Sequence, residues 1–356
     1  KRAESFDYNA CKMRKPSIPL HFTNPIRGET VALVAGGAGF VGSHLCERLL
    51  EHCRVICLDN LRYGKRENIA SCLRSEKFTF LEYDITRPIN DLLQKRVDYI
   101  FHVAGVDEVV RHRKASLDNL LLNSHGTRNL LEKAISDKAK FLFVSALEHK
   151  RSVDDSIDTA QARLFSESIT LEYMKKFGVK GRIIRVGHLF GPRMPLDTQN
   201  PMSVIVRDLL TNGEIRLAND EFTRLYPVYI DDCISVILQT MFAHKGLGKI
   251  FNLIPMQSIT LLELSHVVKE IDPNFTLSFN KEGHTLAPFV KEHFSQGSTL
   301  PLPSRQALTN KLKETIHYFF SFQKNEISLI LRLSYKILLL YLLLLLQNGL
   351  NFAHLL

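Results

Sequence analysis

With 356 residues, 45% of them hydrophobic and 23% charged, the chain can bury a substantial core as one large or two smaller domains, which excludes a disordered or fibrous protein. Lys and Arg number 46 against 37 Asp and Glu, and the formal charge of +9 favours anionic partners such as nucleotides, phosphosugars or lipid headgroups. No basic block is dense enough to indicate nucleic acid, and the six cysteines show neither a CxxC pair nor a Cys/His spacing for zinc, which leaves reduced, structural thiols.

The chain opens on Lys rather than Met, which fits a fragment or a processed product; residues 1–28 are polar and basic, with no apolar core of a signal sequence. Thr30 to Ala35 (TVALVA) reads as a strand that runs into glycines, and Phe40 to Leu50 (FVGSHLCERLL) has helical spacing. Further strands are expected at Arg54 to Leu58, Phe78 to Tyr83, Asp98 to Val103 and Phe141 to Val144, with one helix over Leu117 to Ala134. Another helix is expected from Asp158 to about Phe177, closed by Gly178, followed by a strand at Arg182 to Val186. Such alternation predicts an α/β fold, a doubly wound parallel sheet of Rossmann type with its ligand at the carboxyl ends of the strands. Past Gly191 the alternation loosens. The expected division is a polar segment at 1–28, a dinucleotide-binding domain at 29–185, a smaller α/β substrate lobe at 186–320 and a hydrophobic tail at 321–356. In that tail Ile337 to Leu346 (ILLLYLLLLL) is short for a membrane span of about 20 residues; a weak tail anchor, an interfacial segment and a packing helix all fit it. The compartment stays open between cytoplasm, membrane surface and endomembrane lumen, where the sequon at Asn274 would matter.

The turn after the first strand carries GxxGxxG at Gly36, Gly39 and Gly42. Glycines at these spacings allow a tight turn, close approach to a pyrophosphate and packing of helix on strand, while the helix N-terminus supplies amide donors. Asp59 ends the second strand about 20 residues on, where a carboxylate can accept from adenosine ribose hydroxyls. It would repel a 2′-phosphate, so NAD is favoured over NADP; Arg62, Lys65 and Arg66 nearby keep NADP as an alternative, and a solvated basic loop explains them equally well.

AGGAGFVGSHL, LDNLRYGKRENI, EYDITRP, FHVAG, NSHGTRNLLEKA, LFGPRM and VYIDD follow in that order. Together they resemble the extended short-chain dehydrogenase/reductase family of nucleotide-sugar epimerases, dehydratases and decarboxylases. EYMKKFGV before LFGPRM and the late ETIHYFF are similar to the UDP-glucuronate decarboxylases. The resemblance covers about residues 29 to 320. It implies a Rossmann domain holding NAD, a C-terminal lobe gripping a UDP-sugar such as UDP-glucuronate, and a homodimer or a heterodimer with an active relative. By position it implies cofactor contacts at Gly36, Gly39, Phe40, Gly42, Asp59, Asn60, Asp84, Ile85, Ala104, Asn123 and Arg163. Substrate contacts fall at His188, Arg193 and Arg224. Ala35, Gly105 and His188 replace the family's usual Thr, Ala and Asn, and one residue is inserted between Arg224 and the Tyr229-Ile230-Asp231 motif.

The family's reaction begins with hydride transfer from sugar C4 to NAD, with a tyrosine of YxxxK as base and a Ser or Thr at the end of strand five. Threaded through the helix, Thr159 falls at the tyrosine, Arg163 at the lysine and Ala146 at the Ser/Thr position, while Glu148 matches a glutamate of the decarboxylases. No tyrosine lies between Phe101 and Glu172, and the chain's one YxxxK is Tyr8 to Lys12. The 13 positions from Ala146 to Thr159 also shorten the intervening loop. Threonine does not ionise usefully and arginine keeps its proton. Losing a general base alone typically costs about 10²- to 10⁴-fold. Glu148, His149 and Lys150 could stand in as a base, and a solvated loop accounts for them as well; Asp107, Glu108, Arg111 and Arg113 sit where the family has a substrate-flanking loop, and a solvent-exposed helix start accounts for them equally well. Two readings stand: a nucleotide-sugar enzyme working with altered residues, and an inactive NAD- and UDP-sugar-binding relative that partners an active homologue.

Overall fold

The computed structural model describes residues 30–90, 92–105, 116–147, 159–198, 200–211, 214–217, 221–243, 247–255, 258–279, 299–300 and 306–321. In chain order these form β1 (Val31–Ala35), α1 (Phe40–Leu50), β2 (Arg54–Asp59), β3 (Phe78–Glu82), β4 (Tyr99–His102), α2 (Ser116–Leu121), α3 (Thr127–Asp137), β5 (Lys140–Ala146), α4 (Thr159–Phe177) and β6 (Lys180–Val186). There follow β7 (His188–Phe190), α5 (Pro201–Thr211), β8 (Glu214–Leu217), β9 (Arg224–Leu225), β10 (Pro227–Tyr229), α6 (Ile230–Phe242), β11 (Ile250–Pro255), β12 (Ile259–Thr260), α7 (Leu261–Lys269), β13 (Thr276–Phe279) and β14 (Thr299–Leu300). A last helix, α8, spans 306–321.

All five residues of β1 are buried, as in a strand covered on both faces of a parallel sheet. The sheet has eight strands in the order β14-β11-β6-β5-β4-β1-β2-β3, and its ladders are parallel. The order of the strands reverses between β1 and β4, and in sheets of this kind the crevice outside the carboxyl ends at that switch point receives the ligand. Side-chain alternation divides the core between the two faces: Val34, Phe101, Leu142 and Ile184 pack with Leu45 and Leu49 of α1, while Leu33, Ile100, Phe141 and Ile183 pack with Leu130 and Leu131 of α3.

Two expectations need amending. The sheet does not end at residue 185, because β11 returns to pair with β6 from Ile250↔Ile183 to Leu253↔Val186, and β14 adds to β11. The second lobe is built from the remaining pairs β7–β10, β9–β12 and β8–β13. The single helix expected over 117–134 is two helices joined by a π-helical turn, Leu122–Gly126. There the Asn123 Nδ2 and Ser124 Oγ donate to the carbonyls of Asn119 and Leu120, four residues back, and this competition with the backbone ladder widens the turn. Among the described residues no helix is long and apolar enough to cross a membrane; the run 337–346 lies outside them. Five of the cysteines are buried and unbridged.

Candidate functional site: the crevice at the carboxyl ends of the strands

The glycine turn is forced by close approach. Gly36 has φ +84 and its amide donates to Leu58 O at 2.8 Å; a Cβ there would stand 2.6 Å from the Cα of Ala104, just past β4. At Gly42 a Cβ would stand 2.0 Å from the Gly36 carbonyl oxygen. These contacts press β1, β4 and α1 together and leave the start of α1 bare. Its N-cap, Gly39, contributes no side-chain hydrogen bond and the first turn carries no acidic residue, so the amides and the positive end of the helix dipole face an incoming anion. A dinucleotide's pyrophosphate fits this cradle.

Asp59 is 8% exposed. Its Oδ2 accepts from Ala38 N at 3.0 Å and its Oδ1 from Leu61 N at 2.9 Å, so the carboxylate fastens the glycine turn to the end of β2. Burial raises its pKa while the two amides oppose the rise. Asn60 Oδ1 accepts from Arg62 N at 3.1 Å, and Asp84 Oδ1 accepts from Thr86 N at 2.9 Å, which shapes the next loop. That loop is held to α3 by Asn129 Nδ2, which donates to Ile85 O at 2.9 Å. Gly36, Gly39, Gly42, Asp59, Asn60, Asp84, Ile85 and Ala104 thus gather along the ends of β1 to β4.

Asn123 is used inward. Its Nδ2 donates to Asn119 Oδ1 at 2.8 Å and its Oδ1 accepts from Ser166 Oγ at 3.0 Å. The Ser166 hydroxyl in turn accepts from Thr127 Oγ1 at 3.0 Å, and Thr127 Oγ1 lies 3.0 Å from His102 Nε2. With one proton per hydroxyl, this chain requires Nε2 to carry the imidazole proton. Burial, with the Arg163 charge second, lowers the His102 pKa to about 3, so the ring is neutral. Nothing in its sequence spacing marks His102 out, because its partners come from α3 and α4.

Arg163 lies flat over the residue after Ala104: a Cβ on Gly105 would stand 3.0 Å from its Nη2 and 3.3 Å from its Cζ. A methyl group at 105 would therefore press on the guanidinium of Arg163. One turn further along α4, Glu167 takes a two-pronged ion pair from Arg185 of β6, Nε to Oε1 at 2.9 Å and Nη2 to Oε2 at 2.6 Å. At the end of β5, Ala146 offers no hydroxyl; its neighbour Ser145 is buried, and its Oγ has no hydrogen-bond partner among the described residues. Thr159 is the first residue of α4. Glu148, His149, Lys150, Asp107, Glu108, Arg111 and Arg113 lie outside the described residues.

The residues expected to face a sugar are engaged within the protein. His188 is fully buried, its Nδ1 accepts from Tyr226 N at 3.2 Å, and burial lowers its pKa to about 4. Arg193, at φ +67, donates to Glu47 Oε1 at 2.7 Å and Ser43 Oγ at 3.3 Å, clamping the turn after β7 onto α1. Arg224 is exposed on β9 and donates to Ser258 Oγ at 2.7 Å. Among the described residues no cluster of His, Cys, Asp and Glu could hold a metal ion.

Residues 32–253 match the NAD dependent epimerase/dehydratase family. UDP-glucuronic acid decarboxylase 1 of Arabidopsis thaliana is 31% identical over 69% of this chain, and the match spans 60% of that protein's length. UDP-glucuronic acid decarboxylase 4 of the same plant is 29% identical over 92% of this chain and 80% of its own. Among solved structures, UDP-glucose 4-epimerase of Thermotoga maritima with UDP-glucose superposes with a TM-score of 0.66 at 25% identity, covering 83% of this chain and all of that one. The UDP-glucuronic acid 4-epimerase of Bacillus cereus, solved with UDP-glucuronic acid and NAD, gives a TM-score of 0.66 at 23% identity over 82% of this chain and all of its own, a likeness of fold.

Proposed function

The chain belongs to the NAD-dependent epimerase/dehydratase family, and from that membership we propose that it binds NAD and a UDP-sugar, UDP-glucuronate first, without the family's usual proton transfer. NAD, when bound, supplies a hydride acceptor. The chain's own part is to seat the pyrophosphate on the amides at the start of α1, hold the adenosine end between Asp59 and the loop at Asp84 and Ile85, and present Arg163 beside Ala104 and Gly105. What supports the reading is the sequence at the junction of β5 and α4: the family resemblance assigns Ala146, Thr159 and Arg163 to the positions of its hydroxyl, tyrosine and lysine, and none of the three can take a proton from a sugar hydroxyl near neutral pH. Such a chain acts as a binding partner, pairing with an active relative or sensing cofactor and nucleotide sugar.

The test is a calorimetric titration of the purified chain with NAD and then with UDP-glucuronate, beside an assay for NADH, carbon dioxide and UDP-xylose. Binding of both without product is expected. Turnover well above that of a Glu148→Ala, His149→Ala double variant would establish an enzyme working with altered residues.

A further inference from the structure

Two charged residues that the proposed function does not use meet across the adenosine end of the crevice. Arg62 lies three positions after Asp59, in the loop that leaves β2, and its guanidinium pairs with the carboxylate of Asp118 in α2. The loop is pinned on both sides of Arg62: Leu61 N and Arg62 N donate to Asp59 Oδ1 and Asn60 Oδ1, and Lys65 N donates to Ala38 O at 3.0 Å. Leu61 sits in the left-handed region at φ 55. The loop's other arginine is turned away, its guanidinium 5.2 Å over the ring of Phe80. The side chains of Arg62 and Asp118 are 51% and 44% exposed, so the pair contributes little to folding, and its place beside the ribose carboxylate is the feature to explain.

An arginine fork a few residues beyond that carboxylate is the kind of group that reads a phosphate on the ribose 2′-oxygen. Here the fork is taken by the Asp118 carboxylate, which brings its own negative charge to Arg62. We propose that Asp118 determines which dinucleotide this chain accepts: by holding Arg62 and adding its own charge it turns away a 2′-phosphate, so NAD enters and NADP does not. The proposal rests on the dinucleotide-binding reading above.

The experiment measures dissociation constants of the full chain for NAD, NADP and 2′,5′-ADP in wild type, Asp118→Asn and Asp118→Asn/Arg62→Gln, with far-UV circular dichroism confirming that each folds. Wild type is expected to prefer NAD. Asp118→Asn is expected to tighten NADP and 2′,5′-ADP by roughly tenfold while NAD changes by less than about twofold, an effect that salt weakens. The double variant is expected to lose that gain. The inference is overturned if wild type takes NADP as tightly as NAD, if Asp118→Asn leaves the NADP-to-NAD ratio unchanged, or if the gain survives removal of Arg62. Binding of NAD with an unmoved ratio overturns this inference alone; failure of wild type to bind either dinucleotide overturns the cofactor reading with it.

Discussion

Replacing Glu167 by Gln tests what holds α4 in place. The Glu167 carboxylate is 2% exposed and meets the Arg185 guanidinium, itself 18% exposed, through two parallel hydrogen bonds. Glutamine keeps one acceptor oxygen but no charge, so the guanidinium stays buried without a counter-charge. Removing one partner of a buried pair costs about 3–5 kcal/mol, and because one hydrogen bond can persist the lower end, about 3 kcal/mol, is expected. In a protein of this size, at about 2.1 cal/mol/K of unfolding entropy per residue, that lowers Tm by about 4–5 °C. The chain has no tryptophan, so urea unfolding is best followed by far-UV circular dichroism. Glu167→Leu combined with Arg185→Met removes both charges and should recover part of the loss, since what destabilises is the unpaired ion. Arg163 sits one helical turn before Glu167, so NAD affinity should fall along with stability in the single variant. A cost below about 1 kcal/mol, or a double variant less stable than the single one, would refute the idea that this ion pair anchors α4.

Gly36→Ala forces a side chain into positive φ, at about 1–2 kcal/mol, and against the Ala104 backbone 2.6 Å away; NAD titration should show binding lost while circular dichroism shows the fold retained, and an unchanged dissociation constant would contradict the pyrophosphate cradle. Acid should destabilise the chain well above the carboxylate range. His44, His102 and His188 have folded-state pKa values lowered from 6.5 to about 4, 3 and 4, in each case first by burial. Below pH 6.5 the unfolded chain therefore binds protons that the native state refuses, and stability falls as pH drops from 6.5 towards 4, by up to about 1.4 kcal/mol per pH unit for each group. Urea midpoints that stay level between pH 7 and 5 would count against it. Gly105→Ala should push the Arg163 guanidinium aside and weaken NAD binding a few-fold, and adding Arg163→Lys should restore it, a coupling of about 0.5–1 kcal/mol in a double-mutant cycle; strictly additive effects would show that the two positions are not a matched pair.

What could be read in the sequence was what the chain encodes locally. The strand, glycine turn and first helix follow from spacing alone, because backbone chirality and the need for close approach leave few residues able to occupy Gly36 and Gly42. Asp59 was found by its distance from that turn, although its part in fastening the turn through Ala38 N is a tertiary fact. The break between α2 and α3 was hidden because LDNLLLNSHGTRNLLEKA keeps its apolar period throughout; only the Asn123 and Ser124 side chains, bonding backward, open the turn. The return of Ile250–Pro255 to the sheet was hidden because it joins a partner nearly 70 residues earlier, and a short, mostly apolar run says nothing of where it pairs. His188 and Arg193 were expected beside a sugar by position. Their engagement with Tyr226 N and Glu47 depends on how β7 lies against α1, which no spacing encodes.

The contacts that shape the glycine turn and those that hold α4 are separate. The cradle is built from backbone amides, small residues and one carboxylate between residues 35 and 60, with Ala104 pressed against it, and none of these contacts passes through α4. The helix is held from its middle, by Ser166 in the hydrogen-bond chain to His102 and by Glu167 on Arg185, and both anchors lie beyond its first turn. Positions 159 and 163 lie in the first turns of α4, before both of these anchors. At 163 the guanidinium lies against Gly105, its Nη2 3.0 Å from where a Cβ there would stand. On the proposed reading, replacements at 146 and 159 leave the contacts that shape the cradle in place, so NAD binding is expected to persist where turnover does not.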